Sequence, residues 1–215
     1  MKNSLILLFV CILTVVTAAQ ALEPIQLPAP QTEGGRPLMQ VLKDRMTIRS
    51  FSPESLPDQV LSNLLWAAFG INREESGKRT APSAVNWQEI DIYVAMEKGL
   101  YLYDARANEL NPVVEKDLRA ATGMQSFVGE APLNLVYVAD YAKMGKRMPD
   151  DRKEPMANAD AGFIGQNVYL FCASEGLGTV VRAMVDRKTL APLMQLREDQ
   201  KIILAQTIGY PKKTE

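Results

Sequence analysis

Apolar positions recur at helical spacing over Leu38, Val41 and Leu42, and the pattern stops at Arg45. A stronger run, Val60, Leu61, Leu64, Leu65 and Ala68, predicts an amphipathic helix ending at Gly70. Pro53 and Pro57 precede it and suit a first helical turn. Ile90, Ile92, Val94 and Met96 alternate instead, the period of a half-buried strand, and Glu97-Lys98-Gly99 turns the chain toward a partner strand at Leu100 and Leu102. Residues 115–121 predict a short helix. Residues 133–139 are apolar without a polar face, which predicts a central strand. Ala161, Ile164, Val168, Phe171 and Cys172 predict a buried helix over 158–175, closed by Gly176. Strands over 180–185 and 202–208 enclose a helix near 189–195. Residues 72–80 are polar and predict an exposed loop, and 141–155 form a charged insert, a candidate lid or elbow. Strands and helices mix without βαβ alternation, so the class is α+β.

The first 21 residues stand apart. Lys2 precedes an apolar run, 5–16, that is short for a membrane span, and Ala19-Gln20-Ala21 has the small-x-small form of a cleavage site. The expectation is a signal peptide over 1–21, an exported chain (periplasmic or extracellular) and no stable membrane span after cleavage. An uncleaved anchor is the alternative. Residues 22–36, spiced with proline and glycine, are expected to be a linker or surface arm, leaving 37–215 as one domain.

Composition then removes whole classes of chemistry. The formal charge is −1, which gives no basis for nucleic-acid binding. The 215 residues contain no histidine and two cysteines, of which only Cys172 lies outside residues 1–21. A disulfide within the mature chain, a zinc site and imidazole-based catalysis are therefore not expected.

Four segments could carry chemistry. Arg45-Met46-Thr47-Ile48-Arg49-Ser50-Phe51 sets two guanidinium groups and a hydroxyl where a helix ends, a combination suited to a phosphate, although a solvated helix end would look the same. Pro82-Ser83-Ala84-Val85-Asn86-Trp87-Gln88 puts a hydroxyl and two amides before a strand, able to meet the uracil-like edge of a flavin or simply to form a capping turn. Gly176-Leu177-Gly178-Thr179, running on to Val181, Arg182, Ala183 and Met184, frees backbone for close approach to a flat ligand, or caps a helix. These glycines do not follow a strand and open a helix, so a dinucleotide-binding fingerprint fails. Gly209-Tyr210-Pro211-Lys212-Lys213 adds positive charge, or frays.

In this order, Arg45-x-Thr47-x-Arg49-x-Phe51, Pro82-Ser83-Ala84-x-Asn86, Gly176-Leu177-Gly178-Thr179 and Gly209-Tyr210-Pro211 resemble the nitroreductase family of FMN-dependent oxidoreductases, over roughly 37–212. Ala131-Pro132 before the apolar strand and Asp160-x-Gly162 with Gln166-Asn167 on the long helix add to the match. The run 176–186 is most similar to the branch that includes azoline-oxidising dehydrogenases. The resemblance implies an α+β sandwich with a mixed central sheet flanked by helices, and a homodimer with FMN at the interface. It further implies ping-pong hydride transfer from a reduced nicotinamide-like donor to a small planar acceptor such as a nitroaromatic or quinone, with no catalytic side chain. By position, Arg45, Thr47 and Arg49 would hold the phosphate with Lys212 or Lys213 assisting. Pro82, Ser83 and Asn86 would line the ring, in many members from the partner subunit. Val181 and Arg182 would flank the ring edge, and backbone amides near Ala183 and Met184 would face N5. An azoline dehydrogenase-like peptide-modifying enzyme and a non-catalytic flavin-binding protein are the alternatives. The family's serine is Thr47 here, and the chain ends soon after Lys213, without the long C-terminal arm of many relatives.

Overall fold

The computed structural model describes residues 22–212 apart from 147, so the expected signal peptide and Lys213 lie outside the described residues. Nine strands and five α-helices follow one another along them: β1 (Ile25–Gln26), α1 (Leu38–Asp44), α2 (Asp58–Phe69), β2 (Ile71–Arg73), β3 (Lys78–Arg79), β4 (Ile90–Met96), β5 (Gly99–Asp104), β6 (Glu109–Val114), α3 (Phe127–Glu130), β7 (Leu133–Asp140), α4 (Asp150–Glu175), β8 (Gly178–Arg182), α5 (Arg187–Leu193) and β9 (Gln200–Gly209). Seven strands make one sheet in the order β1-β6-β5-β4-β7-β9-β8. The α+β sandwich is as expected. Every strand pairing in the sheet is antiparallel among the described residues, where the resemblance implied a mixture of directions.

The sheet is covered on both faces, and β7 lies in its interior between β4 and β9, as its unbroken apolar run requires. Leu133, Leu135, Tyr137 and Ala139 point toward α2 and α4, where Leu64, Leu65, Ile164 and Val168 meet them. Val136 and Val138 point the other way, toward Leu190 and Met194. Each of these fully buried aliphatic side chains contributes roughly 1.5–3 kcal/mol. The register Val136↔Tyr93 and Val136↔Ala205 keeps the second face continuous across three strands. Strand β4 corrects the half-buried expectation. Tyr93 and Ala95 are buried on its second face against Leu118 and Leu100, so both faces are covered although one is less apolar in sequence.

Other differences have local causes. Residues 72–80 form the exposed hairpin β2–β3, turning at Gly77 with φ +63°, rather than an irregular loop. The helix expected over 115–121 is a 3₁₀ turn at Arg119–Thr122. Asp117 accepts from the Arg119 N–H at 3.0 Å and diverts the backbone into a side-chain turn. The charged insert is another 3₁₀ turn, Tyr141–Lys143, followed by the first turns of α4, which absorbs Pro155 near its start. Gly176 closes α4 in the left-handed conformation, φ +70°, as expected.

The leader, residues 22–36, is an arm held against the body. It pairs with β6 through Ile25↔Leu110 and buries Leu27. Ser62 donates to the Pro28 carbonyl at 2.6 Å, Gln59 to that of Ala29 at 2.9 Å, and Asn63 accepts from the Gln31 N–H at 2.8 Å. The Arg36 N–H then reaches Ser174 on α4 at 3.0 Å. These bonds fasten the arm across α2 to the far end of α4.

Candidate functional site

Where α1 ends, the chain runs along the open edge of β8. The Ile48 N–H donates to the Thr179 carbonyl at 3.1 Å, and Phe51 pairs with Pro211 as an isolated bridge. Lys212 donates its N–H to Ser50 at 3.1 Å, and Ser52 donates to Tyr210 at 2.8 Å. The first and last sequence segments thus lie side by side, bringing Arg45, Thr47, Arg49 and Lys212 to one edge. Such close approach depends on Gly178, where an added Cβ would stand 2.9 Å from Ile48 Cγ2.

Electrostatically this edge is cationic. Asp44, the nearest carboxylate in sequence to Arg45, is bound by Arg36. Among the described residues neither Arg45 nor Arg49 is in an ion pair. Arg45 lies over the ring of Tyr169, 5.3 Å from its centroid, and Arg49 and Lys212 are exposed. Tyr169 escaped the sequence reading. Its hydroxyl is 3.1 Å from Thr47 Oγ1 and accepts from the Val181 N–H at 3.1 Å, tying the arginine segment to β8 through α4. Its place beside Val168 in a buried helix gave no sign of this in sequence.

The Val181 N–H is therefore engaged, and the next outward-facing N–H on this edge is that of Ala183, beyond the last paired residue. Ala183 and Met184 are exposed there. Arg182 is not with them. Its side chain turns inward to the Thr122 carbonyl at 2.7 Å, Asn134 Oδ1 at 3.0 Å and Thr207 Oγ1 at 3.1 Å, and it is buried. Burial without a carboxylate partner pushes the guanidinium down to about 10. The expectation that Arg182 flanks a ring at the open edge is corrected for its side chain: moving it there would break this network and open a void beneath β8.

The remaining segment sits elsewhere. Pro82 is exposed, Ser83 Oγ accepts from the Gln88 N–H at 3.0 Å, and the Ala84 N–H donates to Asp160 on α4 at 2.8 Å. Val85, Asn86 and Gln88 all have positive φ, near 50–57°, and Val85 is 80% exposed. Such backbone strain needs support, here from Asp160 and Ser83. Asp160 and Tyr169 lie nine residues apart on α4, about 13 Å along its axis and half a turn around it. Within one chain, then, the serine loop and the arginine segment flank opposite sides of α4. Between them α4 exposes Pro155, Asn158, Ala159, Gly162, Phe163 and Gln166 as one stripe.

The arginine edge encloses a cavity of about 150 Å³, lined by Met46, Ile48, Tyr169, Thr179 and Pro211 among others. A roomier groove of about 550 Å³ between the leader, α2 and α4 is lined by Trp66, Asn167 and Phe171 but by none of the predicted site residues. The smaller one lies beside the arginine segment and the glycine-dependent close approach; it is lined by Asp44 and Thr179, while Arg45, Arg49 and Lys212 do not line it.

Comparison with known proteins places these features. Residues 42–210 match the model of the nitroreductase family. A protein of Methanocaldococcus jannaschii, provisionally named a nitroreductase, is 31% identical over 172 residues, 75% of this chain and 85% of its own. A crystal structure from Ralstonia eutropha JMP134, also provisionally named a nitroreductase, superposes with a TM-score of 0.85 at 46% identity over 89% of this chain and 90% of that one. Another, from Desulfovibrio desulfuricans in complex with FMN, reaches 0.60 at 22% identity over 84% and 89%, a likeness of fold.

Proposed function

Because this chain belongs to the nitroreductase family, we propose that it is an FMN-dependent oxidoreductase, acting from a reduced nicotinamide-like donor on a small planar acceptor. The observation that carries this reading is the cationic edge of Arg45, Arg49 and Lys212, none of them in an ion pair among the described residues, with the Thr47 hydroxyl beside it. A phosphate monoester bears close to two negative charges and three strong acceptor oxygens, which this donor set matches. Lys213 would add a further charge.

When bound, FMN would supply the hydride chemistry, and the protein the placement. Thr47, fixed by Tyr169, keeps its hydroxyl at the phosphate end. Gly178 lets the arginine segment lie flush on β8, and the outward N–H at Ala183 provides a donor along the same edge. No side chain need exchange a proton with the cofactor for this arrangement to work.

One chain provides only part of such a site. A cavity of about 150 Å³ is below the usual range for a cofactor pocket, roughly 300–1,000 Å³. The serine loop that would line the ring lies on the other flank of α4. We therefore infer a homodimer in which α4 packs against its copy through the exposed stripe around Gly162 and Phe163. A two-fold axis there brings the partner's loop over this chain's arginine edge. The exposed Leu38, Met39 and Leu42 of α1, and Phe163 at 49% exposure, are the apolar surface such a contact would cover. Export through the N-terminal segment is part of the proposal and implies that FMN is taken up after translocation.

The test is flavin retention. Purified protein should bind FMN stoichiometrically and be reduced anaerobically by NADH or NADPH, and Arg49→Ala should lose FMN on dialysis. An Arg49→Ala variant that keeps full occupancy after extensive dialysis contradicts the assignment.

A further inference from the structure

Two buried carboxyl groups, Glu89 and Asp160, neighbour each other beneath the strained serine loop. Asp160 accepts from the Ala84 N–H at 2.8 Å and so fixes one end of the loop to α4. The other end is fixed to the β2–β3 hairpin. Arg79 donates to Gln88 Oε1 at 2.8 Å, and Gln88 Nε2 donates to the Gly77 carbonyl at 3.1 Å. Between these anchors Val85 and Asn86 stand at φ 53° and 57°. Such conformations persist only where the surroundings hold them, so the loop depends on both anchors.

No cation is committed to the carboxyl pair. Neither oxygen of Glu89 has a hydrogen-bond partner, and Asp160 is in no ion pair among the described residues. The groups around the pair are engaged elsewhere. From the 3₁₀ turn, Lys143 is bound to Asp91 at 2.5 Å, and the Tyr141 ring lies under Lys153. On α4, Lys153 reaches Asp150 and the Tyr141 carbonyl, each at 3.4 Å, while Asp150 and Glu154 are exposed and add only negative charge. At the end of β7, Asp140 is held by Arg197 at 2.8 Å, and on β3 Arg79 also donates to the Phe69 carbonyl at 2.9 Å. Two neighbouring carboxyl groups buried without a counter-ion hold a proton between them, because ionising both is costly.

We propose that Asp160 and Glu89 are a positioning pair for the serine loop and that their shared proton is its latch, seating the loop over the partner subunit's flavin when present and letting it lift when lost. This rests on the flavin-dependent, dimeric reading above. With the proton on Glu89, its O–H is a donor that turns toward Asp160. Without it two anions face each other, and Asp160 relieves the repulsion by swinging away from Glu89 and from the Ala84 N–H. Val85 and Asn86 then leave the left-handed region. Burial, with Asp160 adding to it, raises Glu89 to about 7. The seated loop is therefore favoured at low pH and released as pH rises through that value.

The experiment reads the loop first without FMN and then with it. Trp87 lies in the loop, half-buried, and Trp66 is the other of the two tryptophans, so Trp66→Phe leaves Trp87 as the reporter. In the full-length Trp66→Phe protein without FMN, Trp87 emission should move to longer wavelength between pH 6 and 8, and adding Glu89→Gln should abolish that shift. With FMN, the dissociation constant from flavin fluorescence should rise roughly tenfold over the same range and stay level in the Glu89→Gln variant. At pH 6, Asp160→Ala should weaken FMN binding by a similar factor, and Asp160→Asn, which keeps an acceptor for the Ala84 N–H, should restore it. Trp87 emission that ignores pH, or that shifts equally in Glu89→Gln, overturns the latch alone. An Asp160→Asn variant that binds FMN no better than Asp160→Ala overturns the positioning role. A protein whose Trp87 responds as expected but that takes up no FMN at pH 6 overturns the proposed function, and the pair's part in holding flavin with it.

Discussion

Replacing Glu89 with glutamine should change how stability depends on pH. Glu89 lies just after the strained loop, fully buried, with neither carboxyl oxygen hydrogen-bonded. Burial pushes its pKa from 4.5 to about 7, and the neighbouring Asp160 carboxylate adds to this, while Lys143 opposes it. Lys143 is itself bound to Asp91 at 2.5 Å. Because the folded value is raised, the folded chain holds a proton that the unfolded chain releases between about pH 4.5 and 7. The contribution is fully present below 4.5, declines as pH rises, and is lost above 7. The full difference corresponds to about 3 kcal/mol. Glutamine cannot ionise, so the variant should escape this decline, less roughly 1 kcal/mol for any amide group left unpaired. Urea unfolding of both proteins at pH 5, 6, 7 and 8 measures it. The variant-minus-wild-type difference cancels other titrating groups, such as Asp91, whose pKa burial also raises. That difference should grow by about 2–3 kcal/mol across the series. In melting temperature the gain at pH 8 is roughly 4–12 °C. Parallel stability curves for the two proteins would show that Glu89 is not the buried proton holder inferred here.

Two other substitutable positions give simpler outcomes. Gly178→Ala places a methyl 2.9 Å from Ile48 Cγ2, so the arginine segment must lift from β8. Stability should fall by roughly 1–3 kcal/mol and FMN should bind more weakly in equilibrium titration, and unchanged FMN affinity would separate the segment's seating from phosphate binding. Cys172 is fully buried on α4, and burial raises its thiol well above the ordinary value, so it stays protonated. Iodoacetamide at pH 8 should leave it unmodified in the native protein and alkylate it in urea, and rapid native labelling would contradict the packing described for α4.

How much of this was legible in the sequence depended on whether one residue's pattern sufficed to fix its partner. The unbroken run in β7, the 3.6-residue spacing of α2 and the glycine after α4 each encode local geometry, and the expected elements are present. The arginines and the final Gly-Tyr-Pro turn were visible as motifs, and their adjacency came from the resemblance. Strand β6 was missed because Asn111 and Pro112 break its pattern, although Leu110 is buried and pairs with Tyr103. The leader looked loose because its anchors, Ser62, Gln59, Asn63 and Ser174, are scattered over two helices. Arg182 was misplaced for a more instructive reason. In a strand, alternation puts residue 182 on the same face as Val180, which packs with Phe51 and Ala131 inside. A period of two thus argued for an inward guanidinium, whereas charge argued for an outward one. The structure follows the period, because Thr122, Asn134 and Thr207 supply three oxygen-bearing side chains at the depth where the fork ends. Tyr169 is the converse. Its helical position says buried, and it is, yet its hydroxyl emerges at the edge to meet Thr47 and Val181. A polar tip on a buried ring is the property that made both roles possible, and it leaves no trace in hydrophobic periodicity.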